Sequence, residues 1–172
     1  MDTRMVRRSW QTRIGLVNMT ATERGILSVG LKQSKKKIET LKSARGNRKA
    51  RSHLSLGKKY LNAYLRGETP RIDRIRLDDS GYSQFEKRVL MTLRRVAYGT
   101  TKTYQGLAKL AGNPKASRAV GTVMRKNRTP IFNPCHRIIQ KSGKIGNYSG
   151  GAGLKKLFLE LESEKKSRGK GK

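Results

Sequence analysis

The chain has 172 residues, which is enough for one medium domain or two small ones, and its 41 Lys and Arg residues against 11 acidic residues give a formal charge of +30. One cysteine excludes an internal disulfide and a cysteine-rich zinc site, and two histidines leave little for another metal cage, so we expect no metal site. No apolar run is long enough to span a bilayer, and no signal-peptide core is present.

The charge points to a polyanionic partner. An ordinary soluble domain carries a net charge of roughly 2 to 8, so a chain at +30 binds polyanions whether or not it reads their sequence. Nucleic acid is the first candidate; adaptation to a particular cytoplasm and a generic ribosome-like basicity are the alternatives. The lone thiol fits a reducing compartment, which predicts a cytoplasmic protein, or a nuclear one in a eukaryotic host.

The N-terminal half carries the pattern of a small sheet and one helix. Strands are predicted from Ile14 to Met19 and from Gly25 to Leu31, around turn-forming residues at Thr22–Gly25. A helix follows, stopped by Gly67 and Pro70. Its apolar face consists of Leu54, Leu56, Tyr60, Leu61, Tyr64 and Leu65.

Basic stretches and a break divide the chain. The run from Lys35 to Arg51 is interpreted as a charged connector or a loosely packed helix. Ile72–Leu77 alternates imperfectly and predicts an edge strand, and Asp78–Gly81 then breaks the chain. We therefore predict a basic sheet-and-helix domain over residues 1–80, a second domain over 81–163, and a basic disordered tail over 164–172.

The second domain begins with three predicted helices. Ser83 and Glu86 form a capping box for the first, which Gly99 ends and whose apolar positions are Phe85, Val89, Leu90, Leu93 and Val96. Thr103 caps the second, Tyr104 to Ala111. Ser117 opens the third, which runs to about Lys126. The last two, joined by a glycine-containing turn, match a helix-turn-helix. Small residues on the third helix fit either a groove floor or close packing against a neighbouring helix.

The single cysteine lies in the run Asn133-Pro134-Cys135-His136-Arg137. A free thiol has a pKa of ~8.5 and is mostly protonated at neutral pH. A neighbouring imidazole can act as a base and raise the thiolate fraction, so this pair predicts a nucleophile. The competing interpretation is an inert buried cysteine. The neighbouring histidine and arginine favour the nucleophile.

Three motifs in order resemble the O6-alkylguanine-DNA alkyltransferase family. Thr103–Gly121 is similar to the family's DNA-binding segment, Pro134-Cys135-His136-Arg137 to its acceptor-cysteine motif, and Gly146–Gly151 to its active-site loop. The resemblance spans about Ser83 to Glu162. With the element pattern it implies an α/β (α+β) chain: a small antiparallel sheet with a helix, then a helical domain resembling a winged helix-turn-helix.

The resemblance implies roles for individual residues. Cys135 would accept the alkyl group irreversibly, His136 would act as its base through a water, and Glu162 would orient His136. Arg118 would enter the base stack in place of the flipped nucleotide. Further implied catalytic residues are Tyr104 and Asn127; substrate-binding residues are Tyr148, Ser149, Ile138, Met124, Gly150 and Lys155; DNA-binding residues besides Arg118 are Ser117, Ala119, Arg125 and Arg137.

The implied function is a single-turnover repair of O6-alkylguanine in double-stranded DNA by a cofactor-free monomer, with cooperativity along DNA left open. The alternatives are a non-enzymatic helix-turn-helix DNA binder, an alkyltransferase-like lesion sensor, which would lack Cys135, and a cysteine hydrolase.

Two residues depart from the family pattern. Asn133 stands where the family usually has an apolar residue, and its side chain would hydrogen-bond the loop backbone or loosen the packing under the cysteine. Arg128 stands where a proline is common.

Overall fold

The N-terminal apolar clusters form a three-stranded antiparallel sheet. A computed structural model describes residues 5–33, 47–70, 74–146, 148 and 150–168, and these divide between two compact units, Met1–Ser80 and Gly81–Lys172. In the first, β1 (Val6–Thr12), β2 (Gly15–Ala21) and β3 (Ile26–Lys32) pair in chain order. The two predicted strands are confirmed with bounds shifted by one or two residues. The first strand, β1, was not predicted.

One helix covers this sheet. It is α1 (Arg48–Leu65), whose N-terminus is capped by the Asn47 side chain accepting a hydrogen bond from the Lys49 backbone N–H at 2.8 Å. The helix lies so close to β2 that a Cβ at Gly57 would stand 2.8 Å from the Met19 sulfur. Leu56, predicted on the apolar face, is instead 40% exposed, because Gly57 occupies the contact position beside it.

The predicted edge strand at Ile72–Leu77 is wrong in the part that the structure describes. Only Leu77 pairs, through an isolated parallel bridge to Ile26, while residues 71–73 lie outside the described ranges. The connector predicted around Lys35 lies outside them for residues 34–46, and from Arg48 the chain is already α1.

The second unit is built from four helices and a short strand pair. In order these are α2 (Gln84–Arg94), β4 (Lys102–Thr103), α3 (Tyr104–Leu110), α4 (Ser117–Lys126), a 3₁₀ turn (Cys135–Arg137), β5 (Ile138–Ile139) and α5 (Ala152–Arg168). Strands β4 and β5 are parallel. The core joins α2, α3 and α4 through Val89, Leu90, Leu93, Leu107, Val120 and Val123.

The predicted helix starts are confirmed by their caps. Ser83 and Glu86 exchange both bonds of a capping box, and the Thr103 hydroxyl accepts from the Gly106 N–H at 3.0 Å. Helix α2 ends at Arg94 rather than Gly99. Helix α5 continues to Arg168, into the stretch predicted to be disordered, because its Glu, Lys and Arg residues are good helix formers; residues 169–172 lie outside the described ranges.

The described helices include none that is long and apolar enough to cross a membrane.

Candidate active site

Cys135 lies at the wall of a cavity in the second unit. This cavity has a volume of about 880 Å³. The cysteine is 4% exposed and begins the 3₁₀ turn that follows Pro134. The other lining residues come from α3, α4 and the segments after the turn: Tyr104, Ser117, Arg118, Gly121, Thr122, Met124, Arg125, Gln140 and Tyr148. A group entering this cavity therefore meets both the thiol and the exposed face of α4.

A buried amide network holds the loop that carries Cys135. Asn127, at the end of α4, donates its Nδ2 to the Asn133 carbonyl at 2.8 Å and to the Cys135 sulfur at 3.0 Å. Its Oδ1 accepts from the Thr129 backbone N–H at 3.1 Å. These bonds fix the amide with its donor towards the sulfur, where it stabilises the thiolate.

Asn133, whose carbonyl accepts from Asn127, also joins this network through its side chain. Its Nδ2 donates to the Thr129 hydroxyl at 2.9 Å, while its buried Oδ1 has no hydrogen-bond partner among the described residues. The same loop holds Ile131 at φ 75°, a left-handed conformation that β-branched residues rarely adopt. The expected hydrogen bond from this side chain to the loop backbone is not the one observed, because its Nδ2 binds the Thr129 hydroxyl instead.

His136, Glu162 and Arg137 form a buried ionic cluster next to the cysteine. His136 Nε2 lies 2.8 Å from Glu162 Oε1, and the Gly99 N–H donates to Oε2 at 2.9 Å. Arg137 donates from Nε to Oε2 at 2.9 Å and from Nη2 to Oε1 at 2.9 Å. Glu162 is 1% exposed, so it is not the solvated carboxylate that its amphipathic segment suggests.

The prediction that Arg137 contacts DNA is wrong. The side chain is buried, and its third donor, Nη1, binds the Val96 carbonyl at 2.7 Å. A buried guanidinium that binds a carboxylate and a carbonyl has no surface to offer a phosphate. Arg137 instead neutralises Glu162 inside the protein.

The pKa directions describe a protonated thiol beside a neutral base. Burial raises the pKa of Cys135, which the Asn127 hydrogen bond and the Lys155 charge only partly offset. Burial lowers the pKa of His136 despite the Glu162 bond. Burial raises the pKa of Glu162, but hydrogen bonds from His136 and Arg137 outweigh it and bring the pKa to about 2. At neutral pH, Glu162 is ionised and His136 Nε2 donates to it, so the imidazole accepts a proton at Nδ1.

Two tyrosines and a lysine complete the wall around the thiol. Burial, then the nearby Cys135, raises the pKa of Tyr104 and raises that of Tyr148 more strongly, so both hydroxyls remain protonated donors. The buried Lys155 Nζ donates to the Ile138 carbonyl at 2.6 Å, and burial lowers the pKa of its ammonium group. Each group therefore faces the thiol as a donor or a positive charge.

Only some of the remaining predicted site residues line the cavity that contains Cys135. Ser117, Arg118, Met124 and Arg125 line the cavity, whereas Ala119 is exposed and does not. Gly150 packs so tightly that a Cβ would lie 3.1 Å from the Tyr148 ring. Ser149 lies outside the described residues.

Sequence reasoning missed three cavity residues, Gly121, Thr122 and Gln140. Gly121 and Thr122 follow Arg118 by three and four positions, which places them on its face of α4, so helical spacing could have identified both. A Cβ at Gly121 would approach the Tyr104 ring at 3.9 Å. Among the described residues, no three His, Cys, Asp or Glu side chains are grouped to hold a metal ion.

Replacing Asn127 by Ala should raise the pKa of the Cys135 thiol, because the substitution removes the hydrogen bond that favours the thiolate. Alkylation of Cys135 by iodoacetamide, followed by mass spectrometry across pH, should then slow at pH 7 by about tenfold for each unit of pKa increase. The exposed Asn113→Ala is the matched control. An unchanged pH profile would show that the amide does not act on the sulfur.

The chain resembles a group of proteins with a common activity. Residues 84–164 match the family described as 6-O-methylguanine DNA methyltransferase, DNA binding domain. A methylated-DNA–protein-cysteine methyltransferase of Methanosarcina acetivorans is 37% identical over 153 residues, which cover 89% of this chain and 95% of that protein. The human protein of the same name is 50% identical over 82 residues, covering 47% of this chain and 40% of its own length.

A solved structure supports the same relationship at the level of the fold. The crystal structure of Mycobacterium tuberculosis OGT in complex with DNA superposes with a TM-score of 0.75 at 29% identity, covering 91% of each chain. The similarity extends over both units of the chain and confirms the predicted α+β class.

Proposed function

Because the chain belongs to the family of methylated-DNA–protein-cysteine methyltransferases, we propose that it removes the alkyl group from O6 of guanine in duplex DNA and retains it on Cys135. It is a DNA-binding repair protein that transfers an alkyl group to its own cysteine. We also propose that it prefers O6-alkylguanine, acts as a monomer, and is located in the cytoplasm or, in a eukaryotic host, in the nucleus. The one cysteine in the sequence supports the reducing location.

The transfer itself is a nucleophilic displacement at the alkyl carbon. The Cys135 thiol gives its proton to His136, the sulfur forms a bond to the alkyl carbon, and the bond from that carbon to guanine O6 breaks. The electron pair remains on O6, and the guanine, still attached to the DNA, takes up a proton and becomes the neutral unmodified base. Tyr104, on the same cavity and protonated, is the proposed donor to the departing ring.

The protonated state of the resting thiol explains why a base is needed. Because burial raises the pKa of Cys135, little thiolate exists at neutral pH without proton removal. His136 is neutral, and Glu162 fixes the tautomer that presents Nδ1 as acceptor. A thioether product has no easy leaving group, so each molecule would react once.

The lesion must leave the duplex before it can reach the sulfur. The alkylated oxygen is inaccessible within stacked DNA, and turning the nucleotide out costs a few kcal/mol. Arg118 is exposed on α4 and lines the cavity that contains Cys135. Its guanidinium would occupy the space left in the stack, while the +30 charge of the chain strengthens binding to the phosphates.

Within the pocket, the guanine edge would meet main-chain acceptors. We propose that the carbonyls of Cys135 and Ile138 accept from its exocyclic amine. Each already accepts one protein donor, the Ile138 N–H and Lys155 Nζ respectively, and a carbonyl oxygen has a second lone pair. Tyr148 would contact the alkyl side of the base.

The observation that carries the proposal is that Cys135 and Arg118 open onto one cavity. The test is incubation with an equimolar duplex oligonucleotide that contains O6-methylguanine, followed by mass spectrometry of the Cys135 peptide. We expect one added methyl group per protein molecule and unmodified guanine in the DNA, with no transfer by Cys135→Ala. Tight binding without transfer would instead support the non-enzymatic DNA-binding alternative.

A further inference from the structure

A basic cavity lies in the first unit and shares no lining residue with the cavity of the Cys135 site. It has a volume of about 420 Å³ and lies between the turn that joins β1 to β2 and the C-terminal half of α1. We call it the Trp10 groove. Its lining includes Trp10, Arg13, Lys58, Asn62 and Arg66.

The charges around the Trp10 groove are mainly positive. Arg13, Lys58 and Arg66 are all exposed. The described acid next to them is Glu68, whose Oε1 lies 2.7 Å from Arg66 Nε, with about half or more of each side chain in solvent. An ion pair this exposed is weak, so a phosphate oxygen can compete for the guanidinium.

The aromatic residue of the groove also lacks an acceptor. Trp10 is 8% exposed, and its indole N–H has no hydrogen-bond partner among the described residues. Lys58 Nζ lies over the indole ring, 5.4 Å from the ring centre.

We propose that the Trp10 groove binds phosphates of a nucleic-acid backbone, and so gives the chain a DNA contact separate from α4. Arginine and lysine side chains around a concave surface are the usual ligands of phosphate. An aromatic ring beside them is typical of grooves that follow a nucleic-acid backbone. DNA is the expected polyanion because the same chain binds it. The inference does not depend on the transfer chemistry at Cys135.

The groove contains its own reporter, because Trp10 is the single tryptophan of the chain. The full chain is titrated with a lesion-free 12-bp duplex while tryptophan emission is followed. We expect a saturable change in emission that weakens with added salt. The proposal fails if emission stays constant while the anisotropy of a labelled duplex shows saturation, or if polyglutamate produces the same change as DNA.

Paired charge reversals separate the groove from general basicity. Arg13→Glu with Lys58→Glu removes two groove cations, and Arg48→Glu with Arg51→Glu makes the same charge change on exposed residues of α1 that do not line the groove. The groove variant should bind the lesion-free duplex more weakly than the control, with a salt dependence shallower by about 2 in log K against log salt, about 1 for each cation removed. Circular dichroism checks that both variants fold. Equal losses in the two variants would assign the effect to net charge and overturn the proposal.

Discussion

Replacing Glu162 by Gln is expected to slow alkyl transfer to Cys135 by roughly 100-fold or more, because the base loses its fixed tautomer and its stabilising charge. The substitution keeps the volume of the side chain. The Glu162 carboxylate accepts hydrogen bonds from Arg137, His136 and the Gly99 N–H. In the Gln variant the amide NH₂ would replace one carboxylate oxygen and would face at least one of these donors. Glu162 acts through His136 and is a positioning residue.

The same substitution should lower the free energy of unfolding by about 3–5 kcal/mol, since it leaves the Arg137 guanidinium buried without its counter-charge. Urea denaturation at pH 7 measures this loss. The exposed Glu160→Gln, on the same helix and paired with Lys156 at 3.7 Å, should change stability by less than about 0.5 kcal/mol.

The pH dependence distinguishes the ionic role of Glu162 from simple packing. Its pKa is about 2 in the folded protein against an ordinary value of 4.5, so the stability it provides is complete above about pH 5 and is lost as pH falls towards 2. This loss amounts to about 3 kcal/mol in the wild-type chain. It should be absent from Glu162→Gln. A transfer rate and a pH–stability curve identical to those of the wild type would contradict the assignment.

Local signals in the sequence predicted the elements that surround the site. Ser83 and Thr103 mark the starts of α2 and α3 because their side chains satisfy backbone donors within one turn. Strand β1 was missed because its burial does not alternate: Ser9 and Trp10 are consecutive and both buried, whereas Arg7 and Arg8 are both exposed. Period-two analysis fails on such a strand.

The roles of the charged residues next to Cys135 could not be predicted from local sequence patterns. Glu162 lies among acids on an amphipathic segment, and no local pattern separates it from its exposed neighbours; only the resemblance placed it beside His136. The same resemblance assigned Arg137 to DNA. The decisive fact, that its guanidinium meets a buried carboxylate, is a tertiary contact between residues 25 positions apart.

Asn133 illustrates a departure whose consequence could be stated only from the structure. The sequence left open whether this polar residue would bind the loop or loosen it. Its amide donates to Thr129, which donates its backbone N–H to Asn127, and Asn127 donates to the sulfur. The polar substitution is thus accommodated by a continuous set of hydrogen bonds that ends at the nucleophile.

Replacing Arg118 by Ala is expected to slow repair of O6-methylguanine in duplex DNA by roughly 10- to 100-fold, which corresponds to about 1.5–3 kcal/mol of the cost of extruding the base. Reaction with free O6-benzylguanine, which has no stack to leave, should be unchanged. Single-turnover rates on the two substrates provide the comparison. A single-stranded oligonucleotide with the same lesion should show an intermediate loss, because less stacking is disrupted.

The decisive quantity for Arg118 is the ratio of the two rates rather than either rate alone. Arg88→Ala, which removes an exposed arginine of α2 outside the cavity, makes the same charge change and should leave that ratio at its wild-type value. If Arg118→Ala only weakened phosphate binding, the duplex rate would fall at low DNA concentration and would recover at saturating DNA. If Arg118 fills the space left in the base stack, the duplex rate stays low at saturating DNA. Equal losses on duplex and free base in Arg118→Ala would mean that the residue shapes the pocket around Cys135 and does not assist extrusion.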